Sequence, residues 1–184
     1  MKVFISVMLV LSSVISPGQV FAEAGVFSGL KDLSGNPAAI SDYTGKGKWT
    51  AVIIWASDCY VCNVEAEQYI QFHEAFKDKY VRMLGISVDG KAKLDDARAF
   101  IKRHDVTYPN LIGEPAEVAA MYENISGGTW VGTPTILVYD PKGELQAAQP
   151  GAVPVELIQE FIKGKIAQSK SSQTEVNQSS TAKN

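Results

Sequence analysis

WTAVIIWASDCYVC, residues 49 to 62, decides how this chain is read. Its first half, Trp49 to Trp55, is β-branched and aromatic with no polar alternation. That pattern belongs to a strand covered on both faces, as in a parallel sheet flanked by helices. Its second half holds the only two cysteines of the chain, Cys59 and Cys62, with two residues between them. A helix predicted over Tyr60 to Lys79 places both on its first turn. At that spacing the two Cβ atoms are close enough for a disulfide without much backbone movement. The loop so closed is tiny, so the bond recovers little chain entropy and makes a poor structural staple.

Position governs reactivity. Cys59, at or near the N-cap, faces unpaired backbone N–H groups and the positive end of the helix dipole. Both favour thiolate over thiol. Cys62 lies further into the helix and is expected to be more buried. One accessible nucleophile and one shielded resolving thiol is what disulfide exchange requires. Other uses of a cysteine pair fit less well. A zinc site wants four ligands, and the remaining histidines, His73 and His104, lack ligand spacing and read as surface or helix-end residues. No metal and no cofactor is expected. A c-type haem needs a histidine where Asn63 stands, and peroxidase chemistry of the peroxiredoxin kind wants Thr or Ser where Ala56 stands.

Elsewhere the pattern is regular. Turn signals punctuate residues 26 to 48, leaving room for short strands and a brief helix near Ser41 to Tyr43. A second buried-type strand is predicted over Arg82 to Val88, ended by Asp89-Gly90. Helices follow over Leu94 to His104 and Ala116 to Tyr122, with a short strand at Asn110 to Ile112 between them. After a glycine-rich loop come a strand at Thr135 to Tyr139, a turn, a partner strand at Glu144 to Ala148, and a helix over Val155 to Ala167 opened by Pro154. On the first helix Val61, Val64, Tyr69, Phe72 and Phe76 supply the apolar positions. The order predicts one α/β domain over residues 23 to 167, a central mixed β-sheet flanked by helices.

The two ends stand apart. Lys2, the 13-residue run Val3 to Ile15, the break at Pro17-Gly18 and Val20-Phe21-Ala22 have the layout of a secretory signal peptide over residues 1 to 22. Cleavage after Ala24 fits nearly as well. The run is too short to span a bilayer, so no stable membrane insertion is expected after cleavage. Removing residues 1 to 22 takes one Lys and no acid, leaving 16 basic against 20 acidic residues, a net charge of −4. With no basic run, a nucleic-acid partner has no electrostatic support. Residues 168 to 184 hold one large apolar residue, Val176, and read as a disordered tail.

Trp55-Ala-Ser, CxxC opening a helix, and a late Gly132-Thr-Pro-Thr135 before a strand-turn-strand together resemble the thioredoxin superfamily, in particular its exported TlpA/ResA-like branch. The resemblance covers about residues 26 to 167. It implies a thioredoxin-like fold and a periplasmic thiol-disulfide oxidoreductase working through Cys59 and Cys62. It further implies a cis bond before Pro134, a Thr133 backbone that pairs with substrate, and a substrate surface including Trp55 and Tyr60. Glu65 fills the slot of an acid that manages a thiol proton. Partners would be protein disulfides or dithiols, with a membrane thiol carrier as electron donor.

The sequence also departs from that pattern. Tyr60-Val61 replaces the usual dipeptide between the cysteines, and the acid Asp58 precedes Cys59, where its charge opposes thiolate formation. Ile53 stands where thioredoxin carries a buried acid, and the proline that kinks the first helix is missing. These leave the direction of electron flow open. An isomerase or oxidase of the same fold, or a non-catalytic module holding a partner or copper, are the alternatives.

Overall fold

The computed structural model describes residues 29–181, with side chains through 172. The leader expected over residues 1 to 22 lies outside the described residues. Six strands form one sheet in the order β1-β4-β3-β2-β5-β6. These are β1 (Lys31–Asp32), β2 (Trp49–Trp55), β3 (Val81–Ser87), β4 (Asn110–Ile112), β5 (Thr135–Tyr139) and β6 (Leu145–Pro150). Central strands β2, β3 and β4 run parallel, while β5, β6 and β1 are antiparallel to their neighbours. The sheet is therefore mixed, as expected. The helices are α1 (Tyr60–Phe76), α2 (Leu94–Arg103), α3 (Pro115–Ser126) and α4 (Val155–Thr181).

All seven residues of β2 are buried, because each face of the sheet carries its own helical layer. Trp49, Ala51, Ile53 and Trp55 pack with residues of α1, α2 and α4, including Cys62, Phe72, Phe100 and Ile162. The alternate residues Val52 and Ile54 join Leu84, Ile86 and Leu137 against Val118, Met121 and Tyr122 of α3. The two-residue period of a strand thus sorts one apolar run into two cores.

Three expectations need correction. The buried stripe of α1 is Cys62, Ala66, Tyr69, Phe72 and His73, a helical spacing of three and four residues. Val61 and Val64 fall off that stripe and are 39% and 63% exposed. His73 is not a surface residue: it is buried and its Nδ1 accepts a hydrogen bond of 3.0 Å from the Met83 N–H of β3. Finally, α4 does not stop near Ala167 but runs to Thr181. No glycine or proline interrupts residues 168 to 181, and the Ser169, Ser171 and Ser172 hydroxyls bond back to carbonyls three or four residues earlier. Among the described residues no helix is long and apolar enough to cross a membrane.

Candidate active site

The carboxyl end of β2 delivers the chain to α1 through Ala56-Ser57-Asp58, and Cys59 is the N-cap of that helix. Cys59 and Cys62 are joined by a disulfide, with Cα atoms 5.2 Å apart. The Cys62 N–H also points at Cys59 Sγ, 3.1 Å away, so a helix-end donor is aimed at the outer sulfur. Cys59 is half-buried and Cys62 only 4% exposed, one sulfur within reach of a partner and one shielded.

The loop before Cys59 is held by side chains on both sides. Asp89, just past β3 and 8% exposed, accepts from the Ser57 N–H at 3.0 Å and the Ser57 hydroxyl at 2.8 Å. The Oδ2 that takes the Ser57 N–H also accepts from the Ser87 hydroxyl at 2.7 Å, while the Ser57 hydroxyl goes to Oδ1. From the helix side the Asn63 amide donates to the Ser57 and Cys59 carbonyls, at 3.1 and 2.9 Å. The sequence read Asp89 only as the end of a strand and Asn63 only as the absence of a haem ligand. A polar residue directly after the second cysteine is the signal that was there to use.

Asp58 does not stand alone. Lys93, in the turn before α2, forms a 2.7 Å ion pair with it. The hydrogen bond and charge of Lys93 hold the Asp58 carboxyl below its ordinary range. The negative field expected beside Cys59 is thus partly offset by a cation.

Glu65 lies one turn beyond Cys62, half-buried, and accepts a hydrogen bond of 3.1 Å from the Tyr69 hydroxyl. Tyr69 is also 3.1 Å from the Val153 carbonyl, tying α1 to the loop after β6. Burial first, then the charge of Glu65, push the Tyr69 phenol up, so it stays a donor.

The bond between Thr133 and Pro134 is cis, and Thr135 is paired with Ile54, so Pro134 sits beside the end of β2. Gly132, at φ 121°, takes a conformation that side-chain-bearing residues rarely adopt and lets the loop enter this turn. Tyr60 is 80% exposed and Val131 71%; with Val61 and Val64 they leave apolar side chains uncovered at the start of α1 and in the loop before Pro134.

Trp55 is different. It is 2% exposed, stacks on Phe100 with centroids 4.2 Å apart, and donates from Nε1 to Asn110 Oδ1 at 3.0 Å. Its expected place on the substrate surface is therefore corrected: burial makes it a support for the loop. Gly85 of β3 lies under that hydrogen bond, and a Cβ there would collide with both Asn110 and Trp55. Among the described residues no group of three or more His, Cys, Asp or Glu is placed to hold a metal ion.

Residues 23–148 match the AhpC/TSA family. The chain is 27% identical over 124 residues to the thiol-disulfide oxidoreductase ResA of Oceanobacillus iheyensis, covering 67% of this chain but 59% of that protein. It is 24% identical over 133 residues to the sporulation thiol-disulfide oxidoreductase A of Bacillus subtilis, covering 72% of this chain and 75% of the relative. Among solved structures, a thiol:disulfide interchange protein from Bacteroides sp. superposes with TM-score 0.59 at 25% identity, over 73% of this chain and 85% of that one. The thioredoxin domain of a thiol-disulfide oxidoreductase from Bacteroides vulgatus gives 0.58 at 25% identity, over 73% and 94%. With a match that spans well over half of the sequence, and relatives named for the chemistry its cysteine pair suggests, the chain belongs to the AhpC/TSA family, on the TlpA/ResA-like branch of the thioredoxin superfamily.

Proposed function

We propose that this protein is an exported thiol-disulfide oxidoreductase that reduces disulfides in partner proteins. The observation that carries the reading is the Cys59–Cys62 pair on the first turn of α1, with one sulfur accessible, one buried, and a helix-end N–H aimed at the outer one. In the reduced state the Cys59 thiolate attacks a partner disulfide. A mixed disulfide forms and the first partner thiolate leaves, taking a proton from solvent. The Cys62 thiolate then attacks Cys59 Sγ, the second partner thiolate leaves, and the Cys59–Cys62 disulfide closes. Two electrons have passed to the partner, and an external dithiol must return them; a membrane thiol carrier is the source that an exported reductase would use.

Glu65, one turn from Cys62, is the acid we assign to take the proton as Cys62 becomes a nucleophile. The Thr133 backbone beside cis-Pro134 would pair with an extended partner segment. Tyr60, with Val61, Val64 and Val131, would supply apolar contact. Export is supported by the leader-like residues 1 to 22.

The test is a Cys62→Ser protein incubated with extracts of the exported compartment. It should accumulate mixed disulfides through Cys59, and a Cys59→Ser protein should not. Direction is read by equilibrating the pair against glutathione: a potential of about −270 mV marks a reductant and about −120 mV an oxidant.

A further inference from the structure

We propose that Asn63 is a positioning residue for the Cys59 thiolate, acting as a two-sided clamp between the active-site loop and the end of α2. The proposal rests on the reading of Cys59 as the attacking thiol.

Asn63 follows Cys62 directly, and both halves of its carboxamide are engaged. Nδ2 donates to the Ser57 carbonyl at 3.1 Å and the Cys59 carbonyl at 2.9 Å. Oδ1 accepts from the Arg103 guanidinium at 2.8 Å and lies 3.0 Å from His104 Nε2. An amide offers two donor hydrogens and two acceptor lone pairs, so with His104 as its Nε2–H tautomer this side chain is fully used. Its orientation has no freedom: a guanidinium can only donate and a carbonyl can only accept. A carboxylate of the same shape would turn an acceptor toward two carbonyl oxygens.

The consequence falls on sulfur. The Ser57 and Cys59 carbonyls lie on the backbone within two residues of the nucleophile and carry partial negative charge, which opposes a thiolate; the Cys59 carbonyl also takes the Asn63 backbone N–H at 3.1 Å. Capping both with N–H groups removes much of that opposition. The Arg103 charge polarises the amide and strengthens its donors. The same two contacts hold Cys59 in its N-cap conformation, where its sulfur meets the Cys62 N–H. Asp89 grips the Ser57 N–H from the opposite side, so the Ser57 residue is held at both its N–H and its C=O.

The experiment uses the reduced full chain and the variants Asn63→Asp, Asn63→Ala and Arg103→Met. Each is alkylated with iodoacetamide at pH 7, with both cysteines followed by mass spectrometry, and equilibrated against glutathione; melting temperatures are recorded alongside. Asn63→Asp should slow Cys59 alkylation by about tenfold, and Asn63→Ala by about threefold, through a smaller thiolate fraction. The equilibrium should move toward the disulfide, by about 30 mV for each tenfold change. Arg103→Met, at an exposed residue remote from the sulfurs, should give an effect of about twofold in the same direction, and stands as the test if the Asn63 variants do not fold. Unchanged or faster Cys59 alkylation with an unchanged equilibrium, whatever the melting temperature, would overturn the proposal. If Cys62 is the faster thiol in the parent protein, the assignment of the nucleophile is what fails, and the clamp is then judged on the equilibrium alone.

Discussion

Tyr69 stands one turn beyond Glu65 on α1, and its single phenolic proton is shared between the Glu65 carboxylate and the Val153 carbonyl, each 3.1 Å away. A residue of the cysteine-bearing helix is thereby fastened to the loop after β6. Replacing Tyr69 with Phe removes the donor from both acceptors while keeping the ring. Stability should fall by about 0.5–1.5 kcal/mol, the net worth of a hydrogen bond whose acceptors are half-buried. Urea unfolding measures it, and an unchanged midpoint would show that neither contact matters to the fold.

Glu65→Gln keeps the shape and an acceptor for Tyr69 but cannot take a proton. If Glu65 serves Cys62, the resolving step should slow by about a hundredfold at neutral pH, the low end of general-base effects, while the first attack by Cys59 is unaffected. Rapid-quench separation of mixed disulfide formation from its decay distinguishes the two steps. Equal slowing of both would remove Glu65 from this role.

The exposed apolar residues at the start of α1 and before Pro134 invite a comparison of large and small substrates. Tyr60→Ser should raise KM for a protein disulfide by about tenfold, as for a central aromatic contact, and leave reduction of a small disulfide nearly unchanged. Val64→Ser and Val131→Ser should act in the same direction more weakly. Parallel losses on both substrates would place Tyr60 in the chemistry rather than in docking.

The Asp58–Lys93 pair predicts an electrostatic signature. Lys93→Met should slow Cys59 alkylation, because Asp58 then acts on the thiolate without its counter-charge. Asp58→Asn should speed it, and added salt should shrink both differences, since the pair is solvent-exposed. Alkylation rates that do not depend on salt would exclude this account.

His73 makes stability sensitive to mild acid. Its burial lowers its pKa below the ordinary 6.5, with neighbouring charges in smaller, opposing roles. The unfolded chain then takes up a proton near pH 6.5 that the folded chain refuses. Stability should be fully present above that pH and fall as pH drops toward the lower folded value. His104 is depressed in the same sense by burial and by Arg103. Melting temperature recorded from pH 7.5 to 5 should decline, and His73→Gln should flatten the decline. A flat profile in the parent chain would contradict the assignment.

Much of this was legible in the residues themselves. Trp49–Trp55, Asn110–Ile112 and Thr135–Tyr139 are strands at the predicted bounds, because runs buried on both faces carry an unbroken apolar signal. The cysteine pair at a helix start and the cis bond before Pro134 were also expected, the latter through resemblance. What escaped depends on contacts between distant segments. Asp89 and Lys93 reach the cysteine loop only after β3 and the turn before α2 have packed against it, and no local pattern announces a carboxylate that meets Ser57 across 32 residues. Trp55, read from the sequence as a substrate contact, is 2% exposed, and an aromatic at a strand end has no preferred face until the helices are in place. Val61 and Val64 misled for the opposite reason: an apolar residue near a working cysteine looks like core in a periodicity count.

The Trp55–Asn110 hydrogen bond laid over Gly85 has a further consequence, one of timing. Its three members come from β2, β3 and β4, each adjacent to the next in the sheet. A nascent chain that has formed β2 and α1 already displays both cysteines, but nothing yet lies beneath the turn that carries them. The support at the end of β2 is thus complete only when β2, β3 and β4 lie side by side, although Trp55 and Asn110 are 55 residues apart in the chain.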